Sequence, residues 1–167
     1  GALLAAAPLA WSQSSVQIYG IVDAAVRHTT NEGPAGNGSL TQMIGGGMSQ
    51  SRWGINVTED MGGGLRALAN LENRFNTDTG AQATTNYFQQ SWVGLQSSSF
   101  GRVMLGRQYN VLFDVVTSTY ASFPYSPYFD AFKPEIGFSL GARASNMIKY
   151  VAEYGDFRGG LQYSFDE

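Results

Sequence analysis

The chain has 167 residues and a formal net charge of −3, and only 14% of its residues are charged, against roughly 25% in an average globular protein. Its basic residues form no block, so nothing in the sequence indicates a nucleic-acid-binding surface. It has no cysteine, which excludes disulfide scaffolds and thiolate metal sites, and its only histidine is His28. We therefore expect no metal site, no cofactor and no enzymatic activity.

The first residues form the longest apolar run, Gly1 to Ala10. This run is shorter than the roughly 20 residues of a transmembrane helix. Small residues at Ala10 and Ser12 match the −3 and −1 positions of a signal-peptide cleavage site. The start of a buried helix is the alternative interpretation. We assign residues 1–12 to a signal-peptide remnant whose basic flank is missing, and begin the fold at residue 13.

Polar and apolar residues then alternate with a period of two, which is typical of β-strands. The pattern is clearest from residue 50 to 75, where Arg52, Asn56 and Glu72 fall on one side and Trp53 and Leu71 on the other. The alternation predicts seven strands, at residues 14–27, 52–58, 65–75, 87–96, 102–109, 141–154 and 157–165. The assignment of faces in the fifth strand is ambiguous, because Arg107 falls on the same side as the apolar residues Val103 and Leu105.

The connections between these strands are short and long in turn. Residues 59–64, 97–101 and 155–156 are short turns, whereas 29–47, 76–85 and 110–140 are predicted to be long irregular loops. This succession is typical of outer-membrane β-barrels, in which one strand face meets lipid and the other meets water. A soluble β-sandwich would also alternate, but it has no reason to keep long and short connections in strict succession.

Aromatic residues fall into two predicted groups. Segment 110–140 is dense in them, which indicates a loop packed inside a larger structure. Others lie near strand ends, as in the aromatic girdles of membrane proteins. The candidate girdle residues are Tyr19, Trp53, Phe75, Trp92, Tyr109, Tyr150 and Tyr163, and ordinary packing is the alternative interpretation for each.

Six motifs together resemble the general porins of Gram-negative bacteria, specifically the β-proteobacterial type. They are Ser15–Ala24, Ser51–Gly54, Glu59–Ala67, Trp92–Gln96, Leu105–Tyr109 and Asn146–Tyr150. The resemblance implies an all-β fold, the antiparallel transmembrane β-barrel of 16 strands, three barrels per homotrimer in outer-membrane lipid. It also implies passive diffusion of small hydrophilic solutes and ions. Residues 13–167 would be the N-terminal part of such a barrel, about seven strands, with 110–140 as the inward-folded constriction loop.

The same resemblance implies a pore constriction with arginines on the wall and acids on the loop. Arg52, Arg107 and Arg143 match the wall positions, which turns Arg107 toward the lumen, and Asp130 and Glu135 are the loop candidates. Such an arrangement predicts a mild preference for anions. The three arginines could instead be ordinary solvated lumen residues.

Two other functions stay open as alternatives. The barrel could be an adhesin or structural protein with a plugged lumen, or it could carry an enzyme site at its rim. Asp23, Glu72 and Arg74 could form a paired-carboxylate site, although a ladder of lumen charges is the commoner explanation.

Overall fold

The computed structural model describes residues 14–32, 36–119 and 142–166, which form nine β-strands and one helix. The strands are β1 (Ser15–Ile21), β2 (Ala24–Thr30), β3 (Ser39–Gly45), β4 (Arg52–Gly62), β5 (Leu65–Arg74), β6 (Phe88–Ser97), β7 (Gly101–Tyr109), β8 (Arg143–Tyr154) and β9 (Phe157–Ser164), and the helix is α1 (Val111–Thr119). Within these ranges no helix is long and apolar enough to cross a membrane. The predicted signal remnant and residues 120–140 of the predicted loop lie outside the described residues.

Seven strands form one antiparallel sheet in the order β1-β4-β5-β6-β7-β8-β9. From β4 onward each strand pairs with the next one along the chain. The tight turn between β4 and β5 uses Gly62, Gly63 and Gly64, all at positive φ, where residues with a Cβ are strained. The strands predicted after residue 50 are confirmed to within two residues at most boundaries.

The sheet carries its apolar side chains on one face, and that face is exposed. Register places Ile18 opposite Ile55 and Ile55 opposite Leu71, so these residues share a side. Ile18 is 76% exposed and Leu161, on the same face at β9, is 74% exposed. A water-soluble sheet would cover such a face with a second layer. Its exposure fits a strand face that is surrounded by lipid.

Most of the buried side chains are polar, and those of Asn70, Glu72 and Lys149 lie on the opposite face. Among the described residues only Met104 and Met147 are buried hydrophobic side chains. The buried polar ones are Ser49, Ser51, Asn70, Glu72, Asn73, Gln89, Gln108, Asn110 and Lys149. The interior is therefore organised by hydrogen bonds and ion pairs.

The predictions for the first 50 residues were partly wrong. The strand predicted at 14–27 is interrupted at Val22 and Asp23, and it continues as β2 to Thr30. The loop predicted at 29–47 contains β3, which pairs with β2 as a second, two-stranded sheet. Glycine and asparagine suggested a loop, but residues 39–45 contain few of them, and pairing across the hairpin stabilises a strand there. His28 lies in β2 and its Nδ1 is 2.7 Å from Thr41 Oγ1.

The Asp23 carboxylate fixes the junction between the two sheets. Its Oδ1 accepts the amide of Gly47 at 2.9 Å, and its Oδ2 accepts those of Met48 at 2.9 Å and Ser49 at 2.8 Å. Buried Ser51 adds a bond from its hydroxyl to the Asp23 carbonyl at 3.1 Å. The amides of Ser49, Met48 and Gly47 stabilise the charged form and lower the pKa of this carboxyl, which lies between strands.

Replacing Asp23 with alanine should loosen this junction while leaving the seven-stranded sheet intact. The amides of Gly47, Met48 and Ser49 lose their acceptor, so their hydrogen exchange should become faster than in the wild type. Asp78→Ala, at an exposed turn residue, is the matched control and should leave these three amides unchanged. Equal exchange in both variants would contradict the assigned role of Asp23.

The lowered pKa gives the same contact a defined pH dependence. The folded-state pKa of Asp23 is lowered. The stability contributed by its hydrogen bonds is therefore complete when the pH is above the ordinary aspartate pKa of roughly 3.9, and it is lost as the pH falls through the folded-state pKa. The three amides should therefore stay protected at pH 5.

Candidate functional site

A buried carboxylate lies between two arginines on the polar face. Register places Arg52 directly opposite Arg74, on the neighbouring strands β4 and β5. Glu72, which is 3% exposed, accepts a bond from Arg74 Nε at its Oε1, at 3.1 Å. Its Oε2 lies 4.0 Å from Arg52 Nη1. A carboxylate can remain ionised at such a depth only if cations and hydrogen-bond donors surround it.

Tyr19 extends this cluster onto β1. Its hydroxyl donates to Glu72 Oε2 at 3.2 Å and accepts the side-chain amide of Asn70 at 3.0 Å. The ring reaches Glu72 by crossing Gly54, which is opposite Tyr19 in the register. A Cβ on Gly54 would lie 2.5 Å from the tyrosine ring and 2.7 Å from the Leu71 carbonyl oxygen. Gly54 of the Ser51–Gly54 motif therefore makes room for the Tyr19 side chain, whose hydroxyl binds the buried Glu72 carboxylate.

A second pair of arginines lies on β7 and β8. Tyr109 accepts hydrogen bonds at its hydroxyl from Arg74 Nη2, at 2.9 Å, and from Arg143 Nη2. The Arg143 guanidinium carbon is 4.0 Å from the centre of the same ring, a cation–π contact. Arg107 Nη1 donates to Ser145 Oγ at 3.0 Å. Contacts thus link Arg52, Glu72, Arg74, Tyr109 and Arg143 from β4 to β8. Arg107 lies close enough to interact with the charge of Arg143, and it completes this arginine cluster.

A register change between β7 and β8 lies beside Arg107. Gly106, at a φ of 123°, pairs with Met147, whereas Gln108 pairs with Ala144, so β8 has one extra residue in this interval. Before Gly106 the even-numbered residues of β7 face the polar side, because Met104 pairs with Lys149. After it the odd-numbered Tyr109 does so, because it contacts Arg74. Such bulges re-aim side chains, and no period-two pattern can express one.

Helix α1 is fixed to this same face. Lys149, which is 4% exposed, donates from Nζ to Asp114 Oδ2 on α1 and to the Tyr109 carbonyl, both at 2.7 Å. The Val111 amide donates to Gln162 Oε1 on β9 at 2.6 Å. Asn110 Oδ1 accepts the Phe113 amide at 2.7 Å, as helix N-cap residues do. The prediction that 110–140 is irregular was therefore wrong for residues 111–119.

The structure brings together the three predicted wall residues Arg52, Arg107 and Arg143, and it adds others. Arg74, Glu72 and Tyr109 belong to the same cluster but were not predicted as pore residues. The alternation in the sequence already places Arg74 and Glu72 on the same face as Arg52, and this pattern could have identified them. Asp130 and Glu135 lie outside the described residues.

The girdle interpretation was wrong at three positions, and the paired-carboxylate alternative is excluded. Tyr19 and Tyr109 bind polar partners beside the arginines, and Trp92 pairs with Asn70 on that face, so these three are not girdle residues. Trp53, Tyr150 and Tyr163 do lie exposed on the apolar face. Asp23 and Glu72 bind separate partners and form no paired-carboxylate site.

Comparison with known proteins gives consistent matches along the whole chain. A family model described as Gram-negative porin matches residues 1–167. An outer membrane porin protein of Bordetella pertussis is 34% identical over 195 residues, covering 98% of this chain and 47% of that protein. Outer membrane porin protein 32 of Delftia acidovorans is 36% identical over 173 residues, covering 99% and 48%. The chain spans about half the length of these curated relatives.

Solved structures agree on the fold. The anion-selective porin from Comamonas acidovorans aligns with a TM-score of 0.73 and 34% identity, over 92% of this chain and 47% of that one. The outer membrane protein OmpT of Vibrio cholerae aligns with a TM-score of 0.59 and 17% identity, over 95% and 42%. The second likeness concerns the fold alone.

Replacing Gly54 with alanine should destabilise the cluster by forcing Tyr19 away from Glu72. An overpacked buried position typically costs about 1–3 kcal/mol of unfolding free energy. The measurement is the denaturant midpoint of the refolded protein in detergent. Gly159→Ala is the control, because a Cβ there would meet nothing within 4 Å. If both variants unfold at the wild-type midpoint, Gly54 has no special steric role.

Proposed function

The chain belongs to the Gram-negative porin family, and from this premise we propose that the full-length protein is a water-filled diffusion channel for small hydrophilic solutes and ions, with a mild preference for anions. Its location is the Gram-negative outer membrane. We further propose that it works as a homotrimer, as the family resemblance implies.

The observation that carries this proposal is the excess of positive charge in the arginine cluster. Among the described residues, this cluster contains four arginines, Arg52, Arg74, Arg107 and Arg143, and one acid, Glu72. Guanidinium groups remain charged at every physiological pH, so this excess is permanent. The relative described as an anion-selective porin supports the same direction of selectivity.

The short range of electrostatic interactions in salt explains how a preference for anions is compatible with a net charge of −3. Salt screens charges over about 8 Å at physiological ionic strength, so ions in a narrow passage respond mainly to the charges that line it. In wider parts of the channel the same charges are screened. Selectivity therefore depends on the arginines at the narrowest point.

The ion pair between Lys149 and Asp114 supports an inward-folded loop. It holds the first turns of the segment after β7 against the polar face, at 2.7 Å. We propose that residues 110–140 as a whole form the constriction loop and that Asp130 and Glu135 face the arginines. On this proposal the arginine cluster and the loop are the two sides of the narrowest passage.

Refolded full-length protein should give stepwise conductance in a planar lipid bilayer, often in groups of three. In a salt gradient the reversal potential should show a preference for anions, because the lining charge is positive. A folded barrel that gives no steps would favour the plugged adhesin or the rim enzyme. A reversal potential favouring cations would contradict the role of the arginines.

Arg107→Gln should lower the anion-to-cation permeability ratio without abolishing conductance. Removing one of the clustered charges should change the ratio by roughly two- to fivefold at low salt, and by less at high salt. Arg158→Gln is the control with the same charge change. Arg158 is paired with Glu153 at 3.2 Å near the turn after β8, and its side chain is 48% exposed. An equal change of the permeability ratio in both variants would mean that ion selectivity does not depend on where in the channel the charge lies.

A further inference from the structure

Tyr109 makes contacts with both the arginine cluster and the inward-folded helix. Its hydroxyl accepts bonds from Arg74 and Arg143, and the Arg143 guanidinium also lies over its ring at 4.0 Å. The ring stacks on Phe113 of α1, with centroids 4.1 Å apart and planes 6° apart. One side chain therefore connects two arginines of the wall to the helix that is docked against the wall.

We propose that Tyr109 is a selectivity-determining positioning residue, which transmits the docking of α1 to the placement of Arg74 and Arg143. This inference rests on the proposed channel function. It assigns to Phe113, an uncharged residue, an influence on ion selectivity. The position of the helix then sets the charge distribution of the wall.

Electrostatics gives Tyr109 this role because it holds two like charges together. Arg74 and Arg143 repel each other, and the shared hydroxyl offsets part of that repulsion by accepting from both. Arg74 has a further partner in Glu72, at 3.1 Å. Within the described part of the chain, Arg143 depends more on the tyrosine, because its Nε is buried there without a hydrogen-bond partner. Displacing the ring therefore releases Arg143 first.

Stacking supplies the connection to the helix. Near-parallel aromatic rings at this distance attract each other, and the contact restricts the tyrosine ring to one orientation. The helix has a separate attachment in the pair Lys149–Asp114, so truncating Phe113 need not release α1. The effect of Phe113 on the arginines can thus be measured with the helix still docked.

The test compares two apolar truncations on the same helix in the full-length protein. Phe113→Ala removes the stacking partner of Tyr109, and Val115→Ala, at a residue 47% exposed, is the matched control. We expect Phe113→Ala to lower the anion-to-cation permeability ratio by roughly two- to fivefold at low salt. Val115→Ala should keep the wild-type ratio. Resistance to heat on a detergent gel establishes that each variant is folded.

Tyr109→Phe supplies the second measurement and keeps the ring in place. It removes only the hydroxyl that both arginines share, so it should lower the permeability ratio in the same direction. Combined with Phe113→Ala it should lower the ratio by less than the two separate changes added together, since both act through one ring. If the two changes lower the permeability ratio additively, the proposal that Phe113 acts on the arginines through Tyr109 is wrong.

The outcomes separate this inference from the channel function. A wild-type protein that conducts with anion preference, together with a Phe113→Ala variant that keeps the wild-type ratio, would overturn the role of Tyr109 alone. A wild-type protein that forms no channel would remove the proposed function itself. A shifted ratio in Phe113→Ala, in a barrel as heat-resistant as the wild type, supports positioning over a purely structural role.

Discussion

The buried Glu72 carboxylate is the constraint on which the polar side of this sheet depends. A charge at 3% exposure needs compensation, and it receives it from Arg74, Arg52 and the Tyr19 hydroxyl. Each of these ligands imposes a further requirement. The tyrosine can reach the acid only across a residue without a Cβ, and the Arg74 guanidinium also donates a hydrogen bond to the Tyr109 hydroxyl. One acid thus links strands from β1 to β7, and the apolar face takes no part in this organisation.

The two faces of the sheet are stabilised by different kinds of interaction. Alternation gives an exterior of aliphatic and aromatic side chains that requires no specific partner, since any hydrocarbon surroundings suffice. The interior is held by hydrogen bonds and ion pairs, which require particular distances and angles. This difference explains why the irregular features lie where they do. The register change near Gly106 and the left-handed Asn146 both adjoin the second pair of arginines, where side-chain direction matters most.

Much of the sheet could be predicted from the sequence, because period-two alternation is a local property of each strand. The clearest cases are Trp53 to Val57 in β4 and Leu161 to Tyr163 in β9. The pairing that makes β3 a strand, the bulge in β8 beside Arg107 and the helix after Asn110 depend on residues distant in sequence. Arg52, Arg107 and Arg143 came from motif resemblance, whereas Glu72 and Tyr109 emerged only once the strands were in register. Parity assigns a face to a residue, but it does not assign a partner.

The junction at Asp23 has a consequence for how such a chain can vary. Two residues separate β1 from β2, whereas six separate β3 from β4, so the hairpin does not continue the register of the main sheet. Side-chain-to-backbone bonds hold it instead, and these bonds end at Ser49 and Ser51. Insertions or deletions in the β2–β3 hairpin therefore leave the pairing of Ile21 with Arg52 unchanged. The distal end of this hairpin is therefore free to diverge in length and composition while the main sheet keeps its geometry.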